Sequence, residues 1–226
     1  MTINRFLPLL GVCTTLALAA LPARAALIIG NLDSTPVSAN GFALVDIGAS
    51  QGPLAFGFTM PSGTGYSLDG VTVTIGVTDL TLDPALSSAV YADAGGVPGA
   101  SPLVTFSSPS IPAGPSSGDY VLTPTTAFTL QPGTTYWFAA TGSLTGAGDM
   151  YWEVRNDVPP SGIATSEGYL SNNGSWQPFT ASSPALRIDG TPVPVPAPLA
   201  LMLAGLAGIG VVRLGRKSGK EPIALA

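Results

Sequence analysis

Histidine is absent from the sequence, and cysteine occurs once, at Cys13. Without histidine the chain has neither the commonest general base nor the commonest zinc ligand, so Ser-His-Asp and Cys-His catalytic arrangements are excluded. Because Cys13 lies in an apolar amino-terminal segment, the body of the protein has no thiol nucleophile and no disulfide. Burial of apolar side chains must therefore stabilise an exported form of this body.

Charged side chains are also scarce, at 9% of the residues, whereas glycine occurs 28 times and proline 22 times. This loop-rich composition, with little Glu, Lys or Gln, predicts an all-β protein. Between Ala26 and Thr191, twelve acidic residues are accompanied only by Arg155 and Arg187, a net charge of −10. Phosphate backbones and anionic lipids would repel such a body, which excludes nucleic acid as a partner.

The first 25 residues have the pattern of a secretory signal peptide. A short polar start carries Arg5, an apolar stretch runs from Phe6 to Leu21, and Ala23-Arg24-Ala25 has the small-x-small pattern of a signal-peptidase site. We therefore expect export through the translocon, cleavage after Ala25 and a mature protein that begins at Ala26. The alternative is an amino-terminal membrane anchor, which the shortness of the apolar stretch disfavours.

The body, residues 26–191, shows the period-two alternation of β-strands. In Val71–Thr78 the apolar residues share one face and the threonines share the other, which predicts a half-buried strand. Similar segments, separated by Gly, Pro, Ser and Asp clusters, predict an antiparallel β-sandwich or jelly-roll-like domain of eight to ten short strands. These other segments are 42–47, 54–60, 88–92, 103–106, 120–122, 127–130, 134–140, 150–155, 168–170 and 185–188; residues 107–118 are interpreted as a long loop between strands.

Two kinds of side chain in the body are candidates for carbohydrate chemistry. Tyr151, Trp152 and Trp176 could stack on sugar rings, which makes a binding module one hypothesis. Trp137, in contrast, lies in an alternating segment and is interpreted as a core residue. A glycoside hydrolase needs two facing carboxylates, and the nearby acids are Asp149, Glu153, Asp157 and Glu167. Their spacing marks no pair, so solvent-facing acids between strands are the simpler interpretation and no catalytic residue is assigned.

A hard cation such as calcium needs only oxygen ligands, and Asp93, Asp149 and Asp157 could supply them. The sequence has no EF-hand or RTX-type spacing around these residues. Solvated aspartates in turns are the simpler interpretation. We therefore predict no metal site and no cofactor.

Three segments resemble a known family: Tyr66–Val73, Val90–Gly99 and Leu130–Phe138. Over roughly Gly41–Ile188 the chain is similar to the choice-of-anchor R domain of secreted bacterial proteins. The resemblance implies an extracellular β domain that occurs with several kinds of surface anchor, and the family has no agreed catalytic residues to transfer. Turn chemistry in the same segments agrees: Gly95-Gly96 with Pro98-Gly99, and Pro132-Gly133, are predicted turns.

The composition changes after Thr191, where proline occupies every second position and stiffens the chain. An apolar run, Leu199–Val212, follows, and then come the basic residues Arg213, Arg216, Lys217 and Lys220. A helix over 198–214 would be ~25 Å long, shorter than the ~30 Å hydrocarbon core, and its glycines weaken it further. We expect a single transmembrane helix with the basic cluster in the cytoplasm and the body outside the inner membrane.

This carboxyl-terminal region is similar to the PEP-CTERM sorting signal, also called the ice-binding protein C-terminal domain. Val193-Pro194-Val195-Pro196-Ala197 resembles the variant with the pattern Val-Pro-Leu-Pro-Ala, although the tail 218–226 extends beyond the usual end. The resemblance implies processing by an exosortase-type membrane peptidase. The alternatives are an unprocessed tail anchor and a buried terminal helix.

Together, the two apolar ends and the proline motif predict an exported, non-enzymatic surface or exopolysaccharide-matrix protein of a Gram-negative bacterium. A module that binds carbohydrate or another matrix polymer is the alternative, with exopolysaccharide as its partner. A hydrolase that uses two carboxylates is the third hypothesis.

Overall fold

A computed structural model describes residues 24–32, 41–45, 52–78, 84–112, 114–143, 148–155, 158–172, 175–179 and 183–194. The regular elements in these residues are all β-strands. They are β1 (Ala26–Gly30), β2 (Gly41–Val45), β3 (Leu54–Thr59), β4 (Tyr66–Val77), β5 (Ala85–Asp93), β6 (Pro98–Thr105), β7 (Ser116–Leu122), β8 (Thr129–Leu130), β9 (Thr135–Ser143), β10 (Met150–Arg155), β11 (Ser161–Gly162), β12 (Thr165–Asn172), β13 (Trp176–Phe179), β14 (Ser183–Pro184) and β15 (Leu186–Pro192).

The strands form two antiparallel sheets, which confirms the predicted all-β class. The nine-stranded sheet has the order β11-β1-β15-β4-β10-β14, with β7 and β8 pairing with β4 and β2 pairing with β10. The six-stranded sheet has the order β13-β12-β3-β9-β5-β6. In the described ranges no helix is long and apolar enough to cross a membrane, and the predicted helix 198–214 lies outside them.

The inner faces of the two sheets enclose one apolar core. In β4, Val71, Val73 and Ile75 are fully buried, as the alternation predicts. Phe138 of β9 meets Trp152 of β10 edge to face, with ring centroids 5.6 Å apart, and this contact joins the two sheets. Burying each large apolar side chain contributes about 1.5–3 kcal/mol. This core therefore supplies the stability that disulfides give many exported domains.

The first and last of the described strands, β1 and β15, are neighbours in the nine-stranded sheet. Ala26 of β1 pairs with Gly190 of β15, and both Ile28 and Ile29 are fully buried. Asn31, directly after β1, is also buried and donates a hydrogen bond to the Pro184 carbonyl at 3.1 Å. The sandwich thus includes a strand, β1, that precedes Gly41–Ile188, the range over which the sequence resembles the choice-of-anchor R domain. Pairing of β1 with β15 joins the two described ends of the sandwich.

Most predicted strands are present, but several boundaries differ and the structure has four further strands that the sequence pattern does not predict. Pro98-Gly99 was predicted to be part of a turn and instead begins β6; the turn is at Gly95-Gly96, where φ is +82° and +87°. The predicted loop 107–118 is shorter than expected because β7 begins at Ser116. The unpredicted strands are β1, β11, β13 and β14; three of them have at most four residues, too few to show a period.

Candidate functional site

The outer face of the six-stranded sheet carries a second apolar cluster, separate from the core. Along β9, Tyr136 and Phe138 point into the core, whereas Trp137 and Ala139 point outward. Leu170 of β12 joins this outer cluster, and its other members are Ala55, Tyr91, Val97 and Trp176. Trp137 is 3% exposed, so the prediction that it is a buried core residue is confirmed, and it belongs to this second cluster rather than to the main one.

A β-bulge brings an acidic side chain over this cluster. Ser166 pairs with Phe58 and Gly168 pairs with Gly57, so Glu167 is the extra residue on β12. Gly168 adopts a φ of +112°, a conformation that favours glycine. Bulges redirect side chains, and here Glu167 Oε1 accepts a hydrogen bond of 2.6 Å from Thr59 Oγ1 on the neighbouring strand.

Asp93, at the end of β5, holds the buried indole of Trp137 in place. Trp137 Nε1 donates to Asp93 Oδ1 at 2.8 Å, and the backbone N–H groups of Gly95 and Gly96 donate to the same carboxylate. The Trp137 hydrogen bond, helped by the two glycine N–H groups, lowers the pKa of Asp93 below its ordinary value of 3.8. Asp93 is therefore ionised at neutral pH, and its proton is not available for general acid catalysis.

These side chains surround a cavity of about 430 Å³, which we call the outer pocket. It is lined by Asp93, Thr135, Trp137, Glu167 and Leu170, with Gly96, Gly168 and Pro178, and by Tyr169, whose ring stacks on Phe56 of the main core. The Tyr169 hydroxyl donates to Ser183 Oγ at 2.8 Å, and burial raises the pKa of this phenol. A smaller depression of about 160 Å³, lined by Tyr91 and Ala139 among others, extends along the same face.

The charge of the outer pocket is negative. Arg155 and Arg187 are the only basic residues of the body. Both belong to the nine-stranded sheet, where Arg155 is buried and Arg187 Nε donates to Asp189 Oδ2 at 2.8 Å. Neither arginine lines the outer pocket. The charges of Asp93 and Glu167 are therefore not neutralised by a cationic side chain of its lining.

The structure does not bring the three predicted sugar-binding aromatics together. Trp152 is fully buried and donates from Nε1 to the Ala185 carbonyl at 2.8 Å, so its prediction as a ligand contact is wrong. Tyr151 lies on the outer face of the nine-stranded sheet, packed over Gly41 and Gly76. Trp176 is half-buried on β13 of the other sheet. Tyr151 and Trp176 thus lie on opposite outer faces and cannot form one platform.

The predicted acids are also separated. Because Trp152 points inward, Glu153 is on the outer face of the nine-stranded sheet, whereas Glu167 is on that of the six-stranded sheet. The backbone carbonyl of Asp149 accepts the N–H of Thr78, the residue after β4, and Asp157 lies outside the described residues. Glu153 and Glu167 cannot flank one glycosidic bond. Among the described residues, no three His, Cys, Asp or Glu side chains are grouped as metal ligands.

Only part of the predicted processing residues can be located. Ala25 is exposed immediately before β1, Val193 donates its backbone N–H to the Gly65 carbonyl at 2.9 Å, and Pro194 is exposed. The remaining predicted residues lie outside the described part of the chain: Ala23, Val195, Pro196, Ala197, Arg213, Arg216 and Lys217.

Comparisons with protein-family models, with curated proteins and with solved structures gave no match for this chain.

Gly57 is expected to tolerate no side chain, because the Trp137 ring occupies the space above it. A Cβ at Gly57 would lie 2.8 Å from two carbons of that ring and 3.0 Å from Glu167 Cβ. We expect Gly57→Ala to lower the free energy of unfolding by about 1–3 kcal/mol through overpacking, measured by chemical denaturation. Gly118→Ala is the control, since its nearest neighbour would be 3.7 Å away. Equal stability of the two variants would contradict this packing.

Asp93→Asn should change the pH dependence of the protein's stability, because the Asp93 carboxylate accepts a hydrogen bond from Trp137. Because the folded-state pKa of Asp93 is lowered, its stabilising contribution is present above the ordinary pKa of 3.8 and is lost as pH falls through the folded-state value. Asp93 is exposed, so we expect a difference of at most about 1 kcal/mol at pH 7. Thermal melts of both proteins should converge towards pH 2; a constant difference would contradict the assignment.

Proposed function

We propose that this chain is an exported, non-enzymatic surface or matrix protein whose lasting product is the β-sandwich domain. The observation that carries the proposal is where the described strands of the sandwich start and stop. β1 begins at Ala26, the residue after the predicted signal-peptidase site, and β15 ends at Pro192, the residue before the Val193–Ala197 motif. Processing at both sites would leave every described strand intact.

The geometry of the two ends supports a domain that is tethered at one pole. Ala26 pairs with Gly190, so the start of β1 and the end of β15 lie at the same end of the sandwich. The Val193 N–H donates to the carbonyl of Gly65, which lies in the loop between β3 and β4. In the same loop, the Pro61 carbonyl accepts the N–H of Gly133. The carboxyl-terminal segment is therefore fixed to the domain up to the first residue of the motif.

In this proposal the leader directs the chain through the translocon, and residues 198–214 hold it in the inner membrane with the basic cluster in the cytoplasm. An exosortase-type peptidase then cuts within 193–198 and releases the acidic domain to the surface or the exopolysaccharide matrix. Its net charge of −10 would keep the released domain soluble and away from anionic lipid.

The proposal is tested by changing the motif and following the chain through cell fractions. Replacing Pro194 and Pro196 with alanine should retain the precursor in the membrane fraction, as should removal of the host's exosortase-type peptidase. Pro222→Ala, beyond the basic cluster, is the matched control and should be processed normally. Normal release of the Pro194 and Pro196 variant would contradict the role of the motif.

A second candidate function is binding of a carbohydrate or another matrix polymer. The outer pocket favours it, because concave sites with an apolar floor and a few polar groups are typical of small-ligand binding. The outer pocket, rather than the predicted residues Tyr151, Trp152 and Trp176, is therefore the structural basis for this candidate function.

A further inference from the structure

We propose that the outer pocket binds an amino sugar, presented as one or two residues of a glucosamine-containing polysaccharide. This inference rests on the second candidate function above, and it adds the site and the class of ligand.

The shape of the outer pocket suits a pyranose ring. Pro178 is exposed in the lining, and the hydrophobic face of a sugar ring could rest on it, whereas Trp137 and Leu170 are buried beside it. The volume of about 430 Å³ is within the usual range for small-ligand sites. The adjoining depression beside Tyr91 continues along the sheet, so a polymer could occupy both.

The polar groups of the pocket select a ligand rich in donors. Asp93 and Glu167 are acceptors, and the bulge places Glu167 where a ligand in the pocket can reach its carboxylate. Glu167 Oε1 accepts one hydrogen bond, from Thr59 Oγ1, so the Glu167 carboxylate can accept further hydrogen bonds from a ligand. A protonated amino group would gain charge-assisted hydrogen bonds here.

The same groups reject acidic sugars. With no arginine in the lining, a uronic acid or a sulfated sugar would place its charge beside two carboxylates, and like charges at this range repel. A neutral sugar would be accepted but would lack the ionic contribution. The order of affinity should therefore be amino sugar first, neutral sugar second and acidic sugar last.

The test is calorimetric titration of the full chain, purified in a neutral detergent, with three hexasaccharides: glucosamine, neutral glucose and galacturonic acid. We expect the glucosamine hexamer to bind most tightly, with affinity falling as NaCl rises from 50 to 500 mM because salt screens exposed charges. Glu167→Gln should weaken binding about threefold to tenfold, and Glu167→Lys by more than about tenfold.

Glu153→Gln and Glu153→Lys are the matched controls, because they change the same charge on the opposite outer face. Thermal melts of all variants verify folding, and Glu167→Gln keeps the test valid should Glu167→Lys fail to fold. An equal loss of affinity in the Glu153 and Glu167 variants would show that the hexamer does not bind in the outer pocket, although binding of the polymer to the protein would still stand. Equal binding of the neutral hexamer would overturn the ligand class. No binding of the glucosamine hexamer at low salt would overturn the inference, and no binding of any of the three hexamers would count against the second candidate function as well. The export proposal, tested on processing, would stand in either case.

Discussion

Trp152→Ala is expected to lower the free energy of unfolding by about 3–5 kcal/mol, which is typical for removal of a fully buried aromatic side chain. Trp152 has no exposed surface, packs edge to face on Phe138 across the sandwich and donates a hydrogen bond to the Ala185 carbonyl. In a domain of this size the loss corresponds to a melting temperature lower by roughly 10 °C. Chemical and thermal denaturation measure both quantities.

Two variants give this prediction its controls. Trp152→Phe should cost less, because the ring contact is kept and the Ala185 carbonyl still accepts the Thr74 N–H at 3.2 Å. Trp176→Ala, in the edge strand β13 where the indole is half-buried, should cost less than half as much as Trp152→Ala. If Trp176→Ala were the more damaging of the two, the placement of Trp152 in the core would be wrong.

Asn31→Ala should lower the free energy of unfolding by about 3 kcal/mol, since it leaves buried backbone groups without their partners. Asn31 Oδ1 accepts the Leu186 N–H at 3.0 Å, and its Nδ2 donates to the carbonyls of Pro184 and Val158. These bonds fix the end of β1 against the last strands of the chain. Denaturant unfolding of the purified variant measures the loss.

An exposed hydrogen bond provides the comparison for Asn31. Thr191 Oγ1 donates to Asp69 Oδ2 at 2.7 Å on the surface, and Thr191→Val should cost less than about 1 kcal/mol, because water replaces the lost partner. If Asn31→Ala were as mild as Thr191→Val, Asn31 would not join the two ends of the domain as described.

The fold class could be predicted from sequence because alternation survives wherever one strand face is polar. The threonines of Val71–Thr78 show it clearly. β1 could not be recognised in this way, since Leu27, Ile28 and Ile29 form an apolar run without a period. Its position depends on pairing with β15, and no local pattern records which strand lies beside which.

The inward orientation of Trp152 can be read from the sequence pattern of β10. Met150, Trp152 and Val154 alternate with Tyr151 and Glu153, so the period of two already places this tryptophan on the apolar face. In β9 the same argument fails, because Tyr136, Trp137 and Phe138 are consecutive and both faces are apolar. Only the packing of the two sheets shows that Trp137 lies outside the main core.

The outer pocket itself was beyond prediction from sequence. Asp93 and Glu167 are far apart in the chain, and they line one pocket only because β5 and β12 belong to one sheet, with β9 and β3 between them. A weak local signal existed at Glu167-Gly168, where an acid beside a glycine interrupts a strand pattern and can mark a bulge. Nothing local indicated that Gly57 would make room for Trp137.

The mass of the intact surface form tests the central proposal most directly. The protein should be isolated from the cell surface or matrix of the native host and analysed without proteolysis, with both termini confirmed by fragmentation. We predict a chain that begins at Ala26, ends within 193–198 and lacks Leu199–Ala226. A surface form that still carries Leu199–Ala226, or that begins at Met1, would contradict the proposal.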